Sequence, residues 1–185
     1  MRIITGSHKG RRLKVSGGDG VRPTSGRVRA AIFDILPLDL SGARVLDLYA
    51  GTGALGLEAL SRGALSAVFV DSGGRALPGL VANLRAMNAA LQCRVMAKKV
   101  MPALKLLAAE GARFDLCFAD PPYASRELDK VLGQLSALGL LSEEAMVVIE
   151  HDSAKTLSER YDALARVDHR EYGGTAVTFY RRSME

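Results

Sequence analysis

Ala43-Arg-Val-Leu-Asp47-Leu-Tyr-Ala50-Gly51-Thr52-Gly53-Ala-Leu-Gly56 is the stretch that decides the fold of this chain. Its first half is a mostly apolar run of strand length, and its second half is a glycine-rich turn opening a helix predicted from Ala54 to Ser61. Gly51, Gly53 and Gly56 let the turn approach a ligand closely and let the helix lie near the strand. The next predicted strand, Leu65 to Asp71, closes a βαβ unit and ends in an acid. Asp71 stands at the separation from Gly51 at which a carboxylate meets a ribose hydroxyl pair; a strand-end turn carboxylate is the plainer alternative.

Upstream, a helix is predicted from Gly26 to Leu36, capped by Thr24 or Ser25, with Val28, Ile32 and Ile35 as its apolar stripe. Before it, Arg2 to Thr5 and Arg11 to Val15 read as two short extended segments, followed by a turn at Gly17-Gly18-Asp19-Gly20. Downstream come a helix from Arg75 to Ala89, a strand from Cys93 to Ala97 and a helix over 101–109. A strand begins at Phe114, and Ser125 caps a helix to Leu138 that buries Leu128, Val131, Leu132 and Leu135. A strand from Ala145 to Glu150 follows, and then strands Leu164 to Tyr172 and Thr175 to Arg182 joined at Gly173-Gly174. This order predicts an α/β fold, a doubly wound sheet closed by an antiparallel C-terminal hairpin. It divides the chain into a basic N-terminal arm, residues 1–24, and a main domain, residues 25–185.

The chain has 185 residues, 48% of them hydrophobic, which suits one domain with a sizeable core. No apolar run reaches the roughly 20 residues of a membrane helix, and the start lacks a signal peptide's apolar centre. A soluble, cytoplasmic protein is expected. Cys93 and Cys117 fall on predicted strands without metal-ligand spacing and read as buried thiols, while His8, His151 and His169 are scattered. The net charge of +5 conceals an asymmetry, because residues 1–29 hold eight bases against the single acid Asp19. Arg2, Lys9, Arg11, Arg12, Lys14, Arg22, Arg27 and Arg29 therefore suggest a polyanion-binding end on a near-neutral body; a solvated surface, with Arg27 and Arg29 as ordinary solvated helix residues, is the alternative. A hairpin of this composition grips phosphates without reading bases.

The second informative stretch is Phe114-Asp-Leu-Cys-Phe-Ala-Asp120-Pro121-Pro122-Tyr123. The prolines cannot donate ladder hydrogen bonds, so the strand stops at Asp120, and ligands of open α/β sheets bind just past such an end. The Asp120 carboxylate and the Pro121 carbonyl can each accept a hydrogen bond from an exocyclic amino group, and the Tyr123 ring can stack on a base taken out of its helix. An ordinary proline turn is the alternative when the motif is taken alone.

The glycine pattern by itself also fits a dinucleotide enzyme. Asp47, inside the strand, favours a ligand with an ammonium group over one with a pyrophosphate, or else it braces the glycine turn. S-adenosylmethionine offers ammonium, sulfonium and ribose together. The run Asp47-Leu-Tyr-Ala-Gly51-Thr-Gly53-Ala-Leu-Gly56-Leu-Glu-Ala-Leu-Ser-Arg-Gly, with Asp120 to Tyr123, resembles the S-adenosylmethionine-dependent methyltransferases that act on exocyclic amines. Gly6-Ser-His-Lys-Gly10-Arg11-Arg12-Leu13, Arg22-Pro23-Thr24 with Val28-Arg29, and Gly173-Gly174-Thr175 resemble the RsmD family, over nearly the whole chain.

That resemblance implies a Rossmann-like, seven-stranded methyltransferase sheet and methylation of a guanine N2 in bacterial 16S ribosomal RNA of the small subunit. It implies Asp120, Pro121, Pro122 and Tyr123 as the catalytic motif, and Asp47, Ala50, Gly51, Thr52, Gly53 and Asp71 as cofactor residues. The arm, with Thr24 beside its bases, would hold the RNA; no metal is implied, and a monomer is expected. Two places depart from the family pattern: Lys99 stands where an Asp or Asn commonly lies near the adenine, and Ser72-Gly73-Gly74-Arg75 is unusually glycine-rich. The rival readings are an amine methyltransferase acting on another nucleic acid or a protein, a catalytically impaired RNA-binding homologue, and an NAD oxidoreductase.

Overall fold

The computed structural model describes residues 1–15, 26–122 and 127–183. Strands β1 (Arg44–Leu48), β2 (Ser66–Asp71), β3 (Cys93–Ala97), β4 (Phe114–Ala119), β5 (Leu141–Asp152), β6 (Arg160–Tyr161), β7 (Leu164–Tyr172) and β8 (Thr175–Arg182) form one sheet in the order β3-β2-β1-β4-β5-β8-β7-β6. The first five run parallel, while β8 and β7 return antiparallel. Strand order reverses between β1 and β4, so the carboxyl ends of these two strands bound a crevice. The sheet is the expected one plus β6, a two-residue edge strand that the sequence gives no apolar run to mark.

Helices α1 (Gly26–Ile35), α2 (Ala54–Ser61) and α3 (Leu77–Ala86) share one apolar layer with Val45, Phe69, Phe118 and Val148. Helices α4 (Val100–Ala109) and α5 (Leu128–Ala137) share the other with Leu46, Val70, Ala119 and Ile149. Successive residues of each strand thus serve opposite layers, as a pleated strand requires. Both cysteines are free, Cys117 fully buried and Cys93 half-buried.

One apolar stripe and two element boundaries differ from expectation. The buried apolar residues of α1 are Val28, Ile32 and Phe33, continued at the same four-residue spacing by Leu36 just past its end, whereas Ile35 is 38% exposed. Helix α3 starts at Leu77 instead of Arg75, with Pro78 in its first turn, where its missing N–H costs nothing. Strand β5 extends to both sides of the predicted Ala145–Glu150, because β4 and β8 supply partners along it. The Ser125 cap lies outside the described residues.

Every residue of α2 is buried, including Glu58. A helix apolar on nearly all sides needs covering on its outer face as well, and Met1–Val15 provides the cover. Arg2 and Arg12 form an antiparallel bridge, and Ile3 and Leu13 join the α1–α2 core at 2% and 6% exposure. The N–H groups of Ile4 and Thr5 donate to the two Glu58 carboxylate oxygens at 2.7 and 2.9 Å, and that carboxylate also accepts from Arg62 Nε at 3.2 Å. Ser7 N–H donates to Ser61 O at 2.8 Å, and Ser61 Oγ takes a bond from His8 N–H at 3.0 Å.

Candidate active site

The crevice between β1 and β4 opens into a cleft of about 880 Å³, within the range of about 300–1,000 Å³ usual for small-molecule and cofactor sites. Its floor is the turn after β1. Tyr49 holds φ 58, Gly51 φ 54 and Gly53 φ 78. For Tyr49 the left-handed conformation costs about 1–2 kcal/mol, strain of the kind that gathers at ligand sites. Gly53 N–H closes the turn onto Ala50 O at 2.7 Å. A Cβ on Gly53 would stand 2.4 Å from Leu80 Cδ1, and one on Gly56 would stand 2.4 Å from the Phe69 ring. These two glycines therefore allow α2 to pack onto β2 and α3. A Cβ on Gly51 would meet only Tyr49 O at 3.9 Å, so it would project into the cleft that Gly51 lines.

Two acids hold this turn. Asp47 is 2% exposed and accepts Gly56 N–H at 2.9 Å, the bracing role, while also lining the cleft. Burial pushes its carboxyl up to about 8; the Gly56 N–H opposes the shift, and the negative charges of Asp120 and Asp71 add to it. Asp71 lies at the end of β2 and accepts Gly51 N–H at 2.7 Å and Gly73 N–H at 2.6 Å, one on each oxygen. It therefore ties the first glycine turn to the second. Thr52, Lys98 and Lys99 also line the cleft, and Lys99 stands at the N-cap position of α4 without a capping bond from its side chain.

Asp120 follows β4, its N–H directed to Leu48 O at 3.4 Å, and with Pro121 and Pro122 it borders the same cleft. Pro121 is buried and Pro122 exposed. Tyr123 lies outside the described residues, as do Arg22 and Thr24.

The described basic residues divide. Arg2, Lys9, Arg11, Arg12, Lys14 and Arg27 are exposed. Arg2 Nη1 also donates to Gly10 O at 2.7 Å, and Arg11 Nη1 donates to Ala86 O at the carboxyl end of α3. Arg29 corrects the sequence reading. It is 2% exposed, and its Nη2 donates to Arg2 O at 2.5 Å, so it fastens the hairpin from beneath and presents nothing to a phosphate. Its guanidinium is lowered from its ordinary value by burial, with Glu58 opposing.

Sequence reasoning missed three further residues. Glu58, paired with Arg62 at a four-residue spacing, resembles a solvated helix pair until the hairpin covers it. Asn83 donates from Nδ2 to Lys14 O at 3.0 Å and Thr52 O at 3.2 Å and accepts Lys14 N–H at 2.7 Å, joining the hairpin to the glycine turn. Glu150 borders the cleft from β5. Its signal was present, since Val-Val-Ile-Glu150 ends in an acid as do the strands before Asp71 and Asp120.

The parallel core, the strand reversal at the crevice and the antiparallel C-terminal hairpin are those of the Rossmann-like methyltransferase class. Residues 1–181 match the family described as Conserved hypothetical protein 95, and the chain belongs to that family, the RsmD family. YlbH of Bacillus subtilis (strain 168) is 36% identical over 182 residues, covering 98% of this chain and 99% of that one. Ribosomal RNA small subunit methyltransferase D of Escherichia coli (strain K12) is 36% identical over 152 residues, covering 82% of this chain and 75% of that one. The solved structure of yhhF from Escherichia coli superposes with a TM-score of 0.86 at 33% identity, over 100% of this chain and 99% of that one.

Proposed function

We propose that this chain transfers a methyl group from S-adenosylmethionine to the exocyclic N2 of a guanine in 16S ribosomal RNA. The observation that carries the reading is that Asp120-Pro121-Pro122 and the glycine turn border one cleft. The name of the Escherichia coli relative supports a small-subunit ribosomal RNA as substrate. The cleft fits the cofactor: Gly51 leaves it open, Asp71 offers a carboxylate for ribose hydroxyls, and Asp47 offers a carboxyl, raised to about 8 by burial, that an adjacent ammonium would draw into its ionised form. Ala50, Thr52 and Gly53 shape the turn between those acids. When bound, S-adenosylmethionine supplies a methyl group on a cationic sulfur, open to direct displacement.

The chain's own residues hold the acceptor. Asp120 takes one N–H of the guanine amine and the Pro121 carbonyl takes the other, which draws the nitrogen lone pair out of ring conjugation. Two consecutive prolines keep both acceptors still, so the protein works mainly through proximity and orientation. Tyr123 stacks on the flipped base, and Asp120 is placed to receive the released proton. Arg2, Lys9, Arg11, Arg12, Lys14 and Arg27, with Arg22 and Thr24 of the same N-terminal segment, meet the phosphates. The protein acts as a monomer and needs no metal.

The test is incubation with labelled S-adenosylmethionine and unmodified small-subunit RNA, naked and protein-bound, followed by nucleoside identification. N2-methylguanosine at a single site is the expected product. Asp120→Ala should keep cofactor binding and lose methyl transfer; unchanged turnover would overturn the role given to Asp120.

A further inference from the structure

Glu150 lies two residues before the carboxyl end of β5, one residue past the last registered β4–β5 pair, Ala119↔Ile149. It therefore neighbours Asp120 across a strand spacing of about 4.8 Å. Phe118 and Val148, two residues before each, share the layer of α1 and α2, so Asp120 and Glu150 belong to that same face of the sheet. Glu150 is 5% exposed, yet it borders two cavities. One is the cleft already described. The other, of about 360 Å³, lies between the start of α1 at Arg27 and the β7–β8 turn at Tyr172 and Gly173. The site thus continues past Asp120 on the side away from the glycine turn.

That placement bears on base choice. An amine held at Asp120 has the cofactor loop on its β1 side, so the ring carrying the amine extends toward β5 and Glu150. The three nucleobases with exocyclic amines differ in the ring nitrogens beside the amine: the guanine amine lies between N1 and N3, and only its N1 side distinguishes it from the others. In guanine, N1 carries a hydrogen and donates. In adenine N1, and in cytosine N3, the neighbouring nitrogen is a lone-pair acceptor. A second carboxylate beside Asp120 accepts from guanine N1–H and repels the other two.

Resting on the reading above of the reaction, we propose that Glu150 is the residue that selects guanine, by accepting the N1–H of the target base while Asp120 holds its N2. The second cavity receives the outer part of the purine and its ribose.

The test places either guanosine or 2-aminopurine riboside at the target position of the small-subunit RNA. 2-Aminopurine keeps the 2-amine but presents a lone pair at N1. Wild type should prefer guanine in kcat/KM by about tenfold to a hundredfold, the discrimination usual for a well-made base contact. In Glu150→Gln the amide can donate to the unprotonated N1, so guanine should lose rate while 2-aminopurine holds or gains, and the ratio should fall at least tenfold. Retention of the melting-temperature rise with S-adenosylhomocysteine shows that the variant is folded. If both bases lose rate by the same factor, Glu150 is merely structural and the proposal is overturned. Equal use of the two bases by active wild type overturns it without any variant. Wild type inactive on guanosine removes the functional reading itself, and this inference with it.

Discussion

Replacing Glu58 with Gln should be the most damaging isosteric change outside the cleft. Glu58 is fully buried on α2, and its two oxygens receive Ile4 N–H, Thr5 N–H and Arg62 Nε. A glutamine keeps one acceptor oxygen and turns an NH2 toward whichever backbone N–H faces the other position. One buried N–H left without an acceptor costs about 1–3 kcal/mol. Arg62, whose side chain is 4% exposed, also loses its counter-charge, and breaking a buried pair from one side costs about 3–5 kcal/mol. Arg62 retains the bond from Nη1 to Phe33 O at 3.2 Å and its place over the Phe33 ring, 4.5 Å from the centroid. The two losses overlap and are partly relieved, so about 3–5 kcal/mol is expected, a large share of the roughly 5–15 kcal/mol that holds a domain. Urea denaturation followed by far-ultraviolet circular dichroism reads the stability, since the chain has no tryptophan. Trypsin should at the same time cleave faster at Lys9 and Arg11. The double change Glu58→Met with Arg62→Met removes both charges and should lie between wild type and the single variant, because Ile4 and Thr5 N–H stay without acceptors. A loss below about 1 kcal/mol for Glu58→Gln, with no faster cleavage, would refute the view that this carboxylate clamps the hairpin.

Gly6→Ala and Gly10→Ala should separate docking from backbone strain. Both sites have positive φ, 85 and 81, but a Cβ at Gly6 would stand 1.7 Å from Ser61 O while one at Gly10 meets nothing within 4 Å. Thermal melts should show about 1–2 kcal/mol lost at Gly10 and clearly more at Gly6; equal losses would contradict the docked arrangement. Arg12→Ala should lower the slope of log binding constant against log salt for RNA by about 0.7–0.9, whereas Arg29→Gln should lower the melting temperature. Titrations at several salt concentrations tell the two arginines apart. The raised Asp47 carboxyl sets a pH dependence. The native state keeps this proton up to about 8 while the unfolded chain releases it near the ordinary aspartate value, so stability falls as pH rises between those limits. Denaturation at pH 5 and pH 8.5 should show wild type losing stability relative to Asp47→Asn, and parallel behaviour would count against the burial argument.

Much of the element order follows from local signals. Strand β2 ends at an acid, β1 and β4 run into glycine and into acid and proline within a few residues, and the α5 face of Leu128, Val131, Leu132 and Leu135 repeats at helical spacing, so neighbours in sequence suffice to place them. The glycine turn after β1 was legible for the same reason, because Gly51, Gly53, Gly56 and Asp71 belong to one βαβ unit. What the sequence by itself left open depends on partners far along the chain. Glu58 and the hairpin are 53 and 54 residues apart, so an acid that reads as solvated becomes a buried clamp only when the first residues cover α2. Arg29 looks like one more phosphate ligand in a basic run, and only the packing of α1 beneath that hairpin turns its guanidinium inward. His151 and His169 are scattered in sequence, yet strand pairing brings both onto Thr178 Oγ1, at 2.8 and 2.9 Å. Glu150 becomes a neighbour of Asp120 through the order of β4 and β5 in the sheet. Local pattern fixes which segments are strands and helices because backbone hydrogen bonding and burial repeat at short range; which side chains share a site is decided by sheet order and layer packing, which join residues with no signal of each other in the chain.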